Sequence, residues 1–221
     1  MKMIKKNIKS LGLMFIIPLV NILYMYLNNS LRGVHYLITN IDRKIPFIKI
    51  FAIPYLVWYP FIVITLVYFC FYYRKTYYKV IFSFVIGMLI CYASFYFFQT
   101  GIQRPELYGN DFLTELIRFI YNTDKPYNCF PSIHVLTCYL VVKGVRDCNE
   151  KNSTDKAIIT VTSMLIILST QFIKQHVILD LIFAILLGDG IYRIITNINI
   201  ERITLLIKKP SWWTTKKKLE T

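Results

Sequence analysis

Six stretches of this chain are apolar over about the length that crosses a bilayer as a helix, roughly 20 residues, and nothing else limits its fold so strongly. They lie near 10–28, 51–73, 80–98, 130–145, 157–175 and 177–195 of 221 residues. A chain that is 56% hydrophobic with a mean hydropathy of +0.48 exceeds the apolar share of ordinary soluble domains, so the expected class is an all-α polytopic membrane protein with six transmembrane helices. The basic N-terminus followed by an apolar run resembles the start of a signal peptide. However, the run ends in Asn28-Asn29-Ser30 without a small-residue cleavage pattern, so it is read as the first span. The whole of 1–221 is read as one integral membrane domain, with the catalytic core at about 80–195.

A formal net charge of +14 would suggest nucleic acid for a soluble protein, but here the basic residues punctuate apolar runs and form no stripe. No nucleic-acid partner is expected. Most of the 26 lysines and arginines fall in segments that share one side if the N-terminus is inside, which predicts a cell-membrane protein with both termini cytoplasmic. Lys208 to Thr221, with Trp212 and Trp213, reads as an anchor at an anionic inner leaflet. The five cysteines have neither paired nor metal-ligand spacing, and no metal or cofactor is expected.

This topology places Arg104, His134, His176 and Asp180 at or near the outer ends of the third to sixth spans. His176 and Asp180 are four apart, so on a helix they would share a face, the carboxylate holding one ring nitrogen and leaving the other to act. His134 closes Pro131-Ser132-Ile133-His134 at the start of another span, with Pro131 expected in the first helical turn. Such a set suits phosphoryl transfer without a metal. His176 would attack phosphorus, His134 would protonate the departing alcohol, Arg104 would neutralise phosphate oxygens, and Ser132 would add a donor at a helix N-terminus. Asp111 and Glu115 read as a solvated face, Lys174 as a side chain reaching toward outer headgroups, and Asp189 as remote from the site.

Arg104-Pro105, Pro131-Ser132-Ile133-His134 and Ser169 through Asp180, in that order, resemble the motifs of the type 2 phosphatidic acid phosphatase and vanadium haloperoxidase superfamily. The resemblance implies a six-helix core, His176 as nucleophile, Asp180 as its partner, His134 as general acid, and Arg104, Ser132 and Ser169 as phosphate contacts. The chain departs from the pattern twice, with Phe97 where the first motif carries a lysine and Thr170 where the third carries an arginine. Lys174, Arg118 and Lys125 are the nearby cations available to replace them. With two cations gone, the pattern is also similar to the inositol phosphorylceramide and sphingomyelin synthase branch, which moves a phosphodiester. The expected function is hydrolysis of a lipid-linked phosphate at the outer face, the broadest activity that the superfamily resemblance implies. Headgroup transfer is the alternative within enzymes, and a non-catalytic lipid-binding protein is the alternative outside them.

Overall fold

The computed structural model describes residues 10–29, 33–148 and 153–198. The basic N-terminal residues and the proposed Lys208–Thr221 anchor lie outside the described residues. Within them the chain is mostly helical. A 3-10 turn, Gly12–Phe15, leads into α1 (Ile16–Leu27), followed by a short α2 (Asn40–Lys44) and the long α3 (Ala52–Tyr72) and α4 (Arg74–Phe97). Next come α5 (Phe112–Thr123), α6 (Ile133–Asp147), α7 (Ser153–Phe172) and α8 (Ile178–Asn197). Two dipeptide strands, β1 (His35–Tyr36) and β2 (Thr100–Gly101), pair in parallel.

Three segments are long and apolar enough to cross a membrane: Lys49–Tyr72, Arg74–Phe97 and Ser153–Phe172. Gly12–Leu27 is apolar but shorter. Helix α6 has only 15 residues, and α8 carries Asp180, Asp189 and Arg193 within its length. Large apolar side chains point outward from several helices, among them Leu19 and Ile22 on α1, Ile64 on α3, Met164 on α7 and Leu186 on α8. Only 33% of the apolar window of α3 is buried. Faces of this kind are compatible with lipid as the surrounding solvent.

Helix α4 begins at Arg74, several residues before its apolar run, because polar partners stabilise its first turns. Arg74 donates to Ser10 Oγ (2.8 Å) and Tyr78 Oη (2.9 Å), and Lys79 pairs with Asp147 at 2.9 Å. Helix α6 also starts later than its apolar run. Ser132 is its N-cap, with Oγ accepting the Val135 N–H, so Pro131 stands before the helix and not in its first turn.

Helix α6 lies at the centre, packed on α4, α7 and α8, with most of its residues buried. The close approach depends on small residues, as it does between membrane helices generally. A Cβ at Gly144 would lie 2.6 Å from Val80 Cγ2 and 3.1 Å from Phe69 Cε2. Gly144→Leu is therefore expected to lower stability by about 1–3 kcal/mol through overpacking. Gly190→Ala, where nothing lies within 4 Å, should shift it by less than about 1 kcal/mol. Thermal unfolding of both variants in one detergent checks the contrast.

Candidate active site

The turn between α7 and α8 builds the centre of the site. After Phe172 the chain reverses through Lys174, held at φ 53°, while Thr170 O accepts the N–H groups of both Gln175 (2.9 Å) and His176 (3.1 Å). His176 therefore precedes α8 and is not on a helix with Asp180, contrary to the shared-face reading. The two residues still meet. Asp180 is the third residue of α8 and its Oδ2 reaches back to accept the Val177 N–H at 3.0 Å, which also brings it 3.1 Å from His176 Nδ1.

His176 Nδ1 is also 3.1 Å from Cys129 O. A carboxylate and a carbonyl can only accept, so these partners select the tautomer with its proton on Nδ1 and its lone pair on Nε2. A second hydrogen bond fixes the same helix end from outside: the Ile178 N–H donates to Asp42 Oδ1 at 2.7 Å. The N-terminus of α6 is joined to this assembly, because the Ser132 N–H donates to Asp180 O at 3.3 Å.

His134, in the first turn of α6, packs in tilted contacts against Tyr55 and Trp58, with ring centres 4.6 and 4.1 Å away. Trp58 Nε1 donates to Thr137 Oγ1, which fixes the indole plane. The ring centres of His134 and His176 are 5.8 Å apart, and His134 Nε2 is buried without a hydrogen-bond partner among the described residues. These contacts bring His134, His176 and Asp180 into one buried cluster.

Arg104 lies beside this cluster but is already engaged. It donates to Tyr121 O (3.0 Å), Asp124 O and Gln175 Oε1, and its guanidinium lies 4.3 Å from the Tyr121 ring. Burial pulls its pKa below the ordinary value, and the Asp124 carboxylate is the main opposing influence. Ser132 is fully buried and uses its Oγ as the α6 cap. Ser169 Oγ donates to Ile166 O at 2.6 Å, inside its own helix. Neither serine lines a cavity described below.

Two cavities meet at His176. One, of about 250 Å³, is walled by apolar groups of α1, α3 and α4, including Ile17, Trp58, Ile62 and Phe84, and has His134, Asp124 and His176 among its polar lining. The other, of about 430 Å³, opens among Arg43, Arg104, Lys174, Gln171 and His176. Sequence reasoning missed Asp124, whose carboxylate accepts from Tyr24 Oη (2.6 Å) and Tyr55 Oη (2.5 Å). In Thr123-Asp124-Lys125-Pro126 it reads as a turn residue, and only the fold brings two distant tyrosines to it.

Of the three cations near the missing motif positions, Lys125 lines the apolar cavity and Lys174 the polar one. Arg118 is engaged by Glu115, Asn110 and Gly109 O. Lys174 donates to Asp42 O (2.9 Å) and Ile45 O (2.6 Å), so it ties the outer segment down. Asp189 binds Lys143, Tyr139 and Arg193, none of which lines either cavity. Cys129, His176 and Asp180 offer ligand atoms within 4.8 Å of one another. Burial, then the Asp180 charge, holds the Cys129 thiol well above its usual range, and Nδ1 is committed to Asp180 and Cys129 O, so the trio serves better as a hydrogen-bonded cluster than as a metal cage.

Comparisons with protein-family models, with curated proteins and with solved structures find no match. Fold and site together define a helical protein, compatible with a membrane, with a paired-histidine cluster between an apolar and a cationic cavity.

The Asp180 cap carries its own test. Asp180→Ala should cost about 0.5–2 kcal/mol by leaving the Val177 N–H without its acceptor, whereas Asp180→Asn, which keeps an acceptor oxygen, should cost less. Thermal unfolding of the two variants measures the difference.

Proposed function

We propose that this chain is an integral membrane phosphoesterase acting on a lipid-linked phosphate through a phosphohistidine at His176. The observation that carries this reading is the tethered Nδ1 of His176, which leaves Nε2 for attack with the His134 ring centre 5.8 Å away. Nε2 would displace the lipid alcohol from phosphorus, and His134 would give the departing oxygen its proton. Asp180 would keep the tautomer and stabilise the ring as it gains positive charge. Water, deprotonated by His134, would then attack the phosphohistidine, releasing phosphate and returning His176 to its starting form.

The unlike cavities suit the two ends of such a substrate. The apolar one, where His134 lies, fits a lipid alcohol, and the cationic one, where Arg104 lies, fits phosphate charge. The resemblance to type 2 phosphatidic acid phosphatases supports the same roles for His176, Asp180, His134 and Arg104. Transfer of a headgroup to a hydroxylated acceptor is the second reading, favoured by Phe97 and Thr170 at the family's cation positions, since a diester monoanion needs less neutralisation than a monoester dianion.

In the membrane, the reading comprises six spans with both termini cytoplasmic and the site facing outward. Helix α6 is short but shielded by its neighbours, and the carboxylates of α8 are paired, Asp180 in the first turn against His176 and Asp189, near mid-helix, against Lys143 and Arg193.

The test is purified protein and His176→Ala, incubated in metal chelator with lipid phosphomonoesters and glycerophospholipids, with and without hydroxylated lipid acceptors. Free phosphate, or phosphorus on an acceptor, should appear with the intact protein and fall at least about a hundredfold in the variant. Equal turnover by both proteins would reject the phosphohistidine reading.

A further inference from the structure

The outer segment between α1 and α3 is fastened to the His176 turn at several points. Thr39 caps α2 and donates through N and Oγ1 to Asp42 Oδ2, at 2.7 and 2.6 Å. The other oxygen, Asp42 Oδ1, accepts the Ile178 N–H at the start of α8. Lys174 Nζ donates to the carbonyls of Asp42 and Ile45, and the Ile48 N–H donates to Phe172 O at 3.0 Å. Residues 39–48 are thus held on both sides of the turn that carries His176.

The residue after the clamp is Arg43. It lines the 430 Å³ cavity together with Arg104, Lys174 and His176. Arg104 has both terminal nitrogens committed to carbonyls and Gln175, with only its buried Nε unpartnered among the described residues, and Lys174 is committed to two carbonyls. The Arg43 guanidinium is exposed and has no hydrogen bond or ion pair among the described residues. Asp42, the one carboxylate lining that cavity, has both oxygens occupied by the clamp. The cavity therefore has an excess of positive charge and one uncommitted fork of N–H donors, the arrangement that binds phosphate oxygens bidentately.

We propose that Arg43 is a phosphate-binding residue that supplies, from the outer segment, cationic charge that Phe97 and Thr170 do not. Asp42 and Lys174 act as positioning residues that hold it beside His176. The proposal rests on the phosphoryl-transfer reading for its catalytic meaning, but as a binding site it stands on the cavity alone. It assigns the anionic group of the substrate to the cationic cavity, leaving the apolar cavity for the lipid portion.

The experiment is equilibrium binding of inorganic phosphate to the full-length protein in detergent, followed by 31P NMR, for the intact protein, Arg43→Ala, Arg43→Gln and Arg118→Ala. Gel filtration and circular dichroism check that each is folded. Loss of a charge-assisted bidentate contact should raise the phosphate Kd about tenfold or more in both Arg43 variants and leave Arg118→Ala unchanged. KM for a turned-over phospholipid should rise in the Arg43 variants more than kcat falls. Unchanged phosphate affinity in Arg43→Gln, or no phosphate binding by the intact protein, would overturn the proposal. Binding needs no turnover, so Arg43-dependent phosphate binding with no effect of His176→Ala on activity would sustain this site while rejecting catalysis by His176.

Discussion

A carboxylate in the first turn of α8, buried from water, must be stabilised by protein dipoles and donors, and those available to Asp180 define the outer end of the molecule. The Val177 N–H and the His176 ring donate to Oδ2, and Asp180 stands in the first turn of α8, at the positive end of the helix dipole. Because Asp180 O also accepts from Ser132, the start of α6 is fixed against the start of α8, and His134 is brought to His176. The same few hydrogen bonds thus set the packing of two helices and the state of an imidazole. Removing that charge would release structure and chemistry together.

The clamp from the other side uses the opposite chemistry. Asp42 serves a helix N-terminus that is not its own, and Lys174 serves carbonyls of a segment far from it in sequence. Burial pulls the Lys174 ammonium below its ordinary pKa and the Asp42 charge partly restores it, which fits a cation used as a brace against backbone oxygens. The site accordingly lies between a rigid helical bundle and an outer strap. An apolar cavity lies on the bundle side and a charged one on the strap side, with His176 common to both.

Much of this was legible in the chain. Apolar runs marked α1, α3, α4, α6, α7 and α8 to within a few residues, except that α4 extends back to Arg74. Motif spacing was enough to expect His134, His176 and Asp180 together. The helix carrying both His176 and Asp180 was misread because periodicity says nothing of where a helix stops, and α7 ends at Phe172 with Lys174 in the left-handed region. Helix α5 was legible but unread: Asp111 caps it, and Ile117 and Ile120 form a buried stripe. The Thr39-x-x-Asp42 cap was also readable as a helix start, but its docking on α8 depends on a contact across more than a hundred residues. Ser169 illustrates a limit of motif transfer, since a hydroxyl in a helix can always turn back to its own carbonyls, and here it does.

The central claim is that His176 forms a covalent bond to phosphorus. The most direct measurement is to mix the protein with a 32P-labelled phospholipid or lipid phosphate, quench in alkali within one turnover, and locate the label by peptide mapping. The account predicts base-stable, acid-labile label on the peptide containing His176, absent from His176→Ala. Turnover without label at that peptide, or label persisting in the variant, would contradict it.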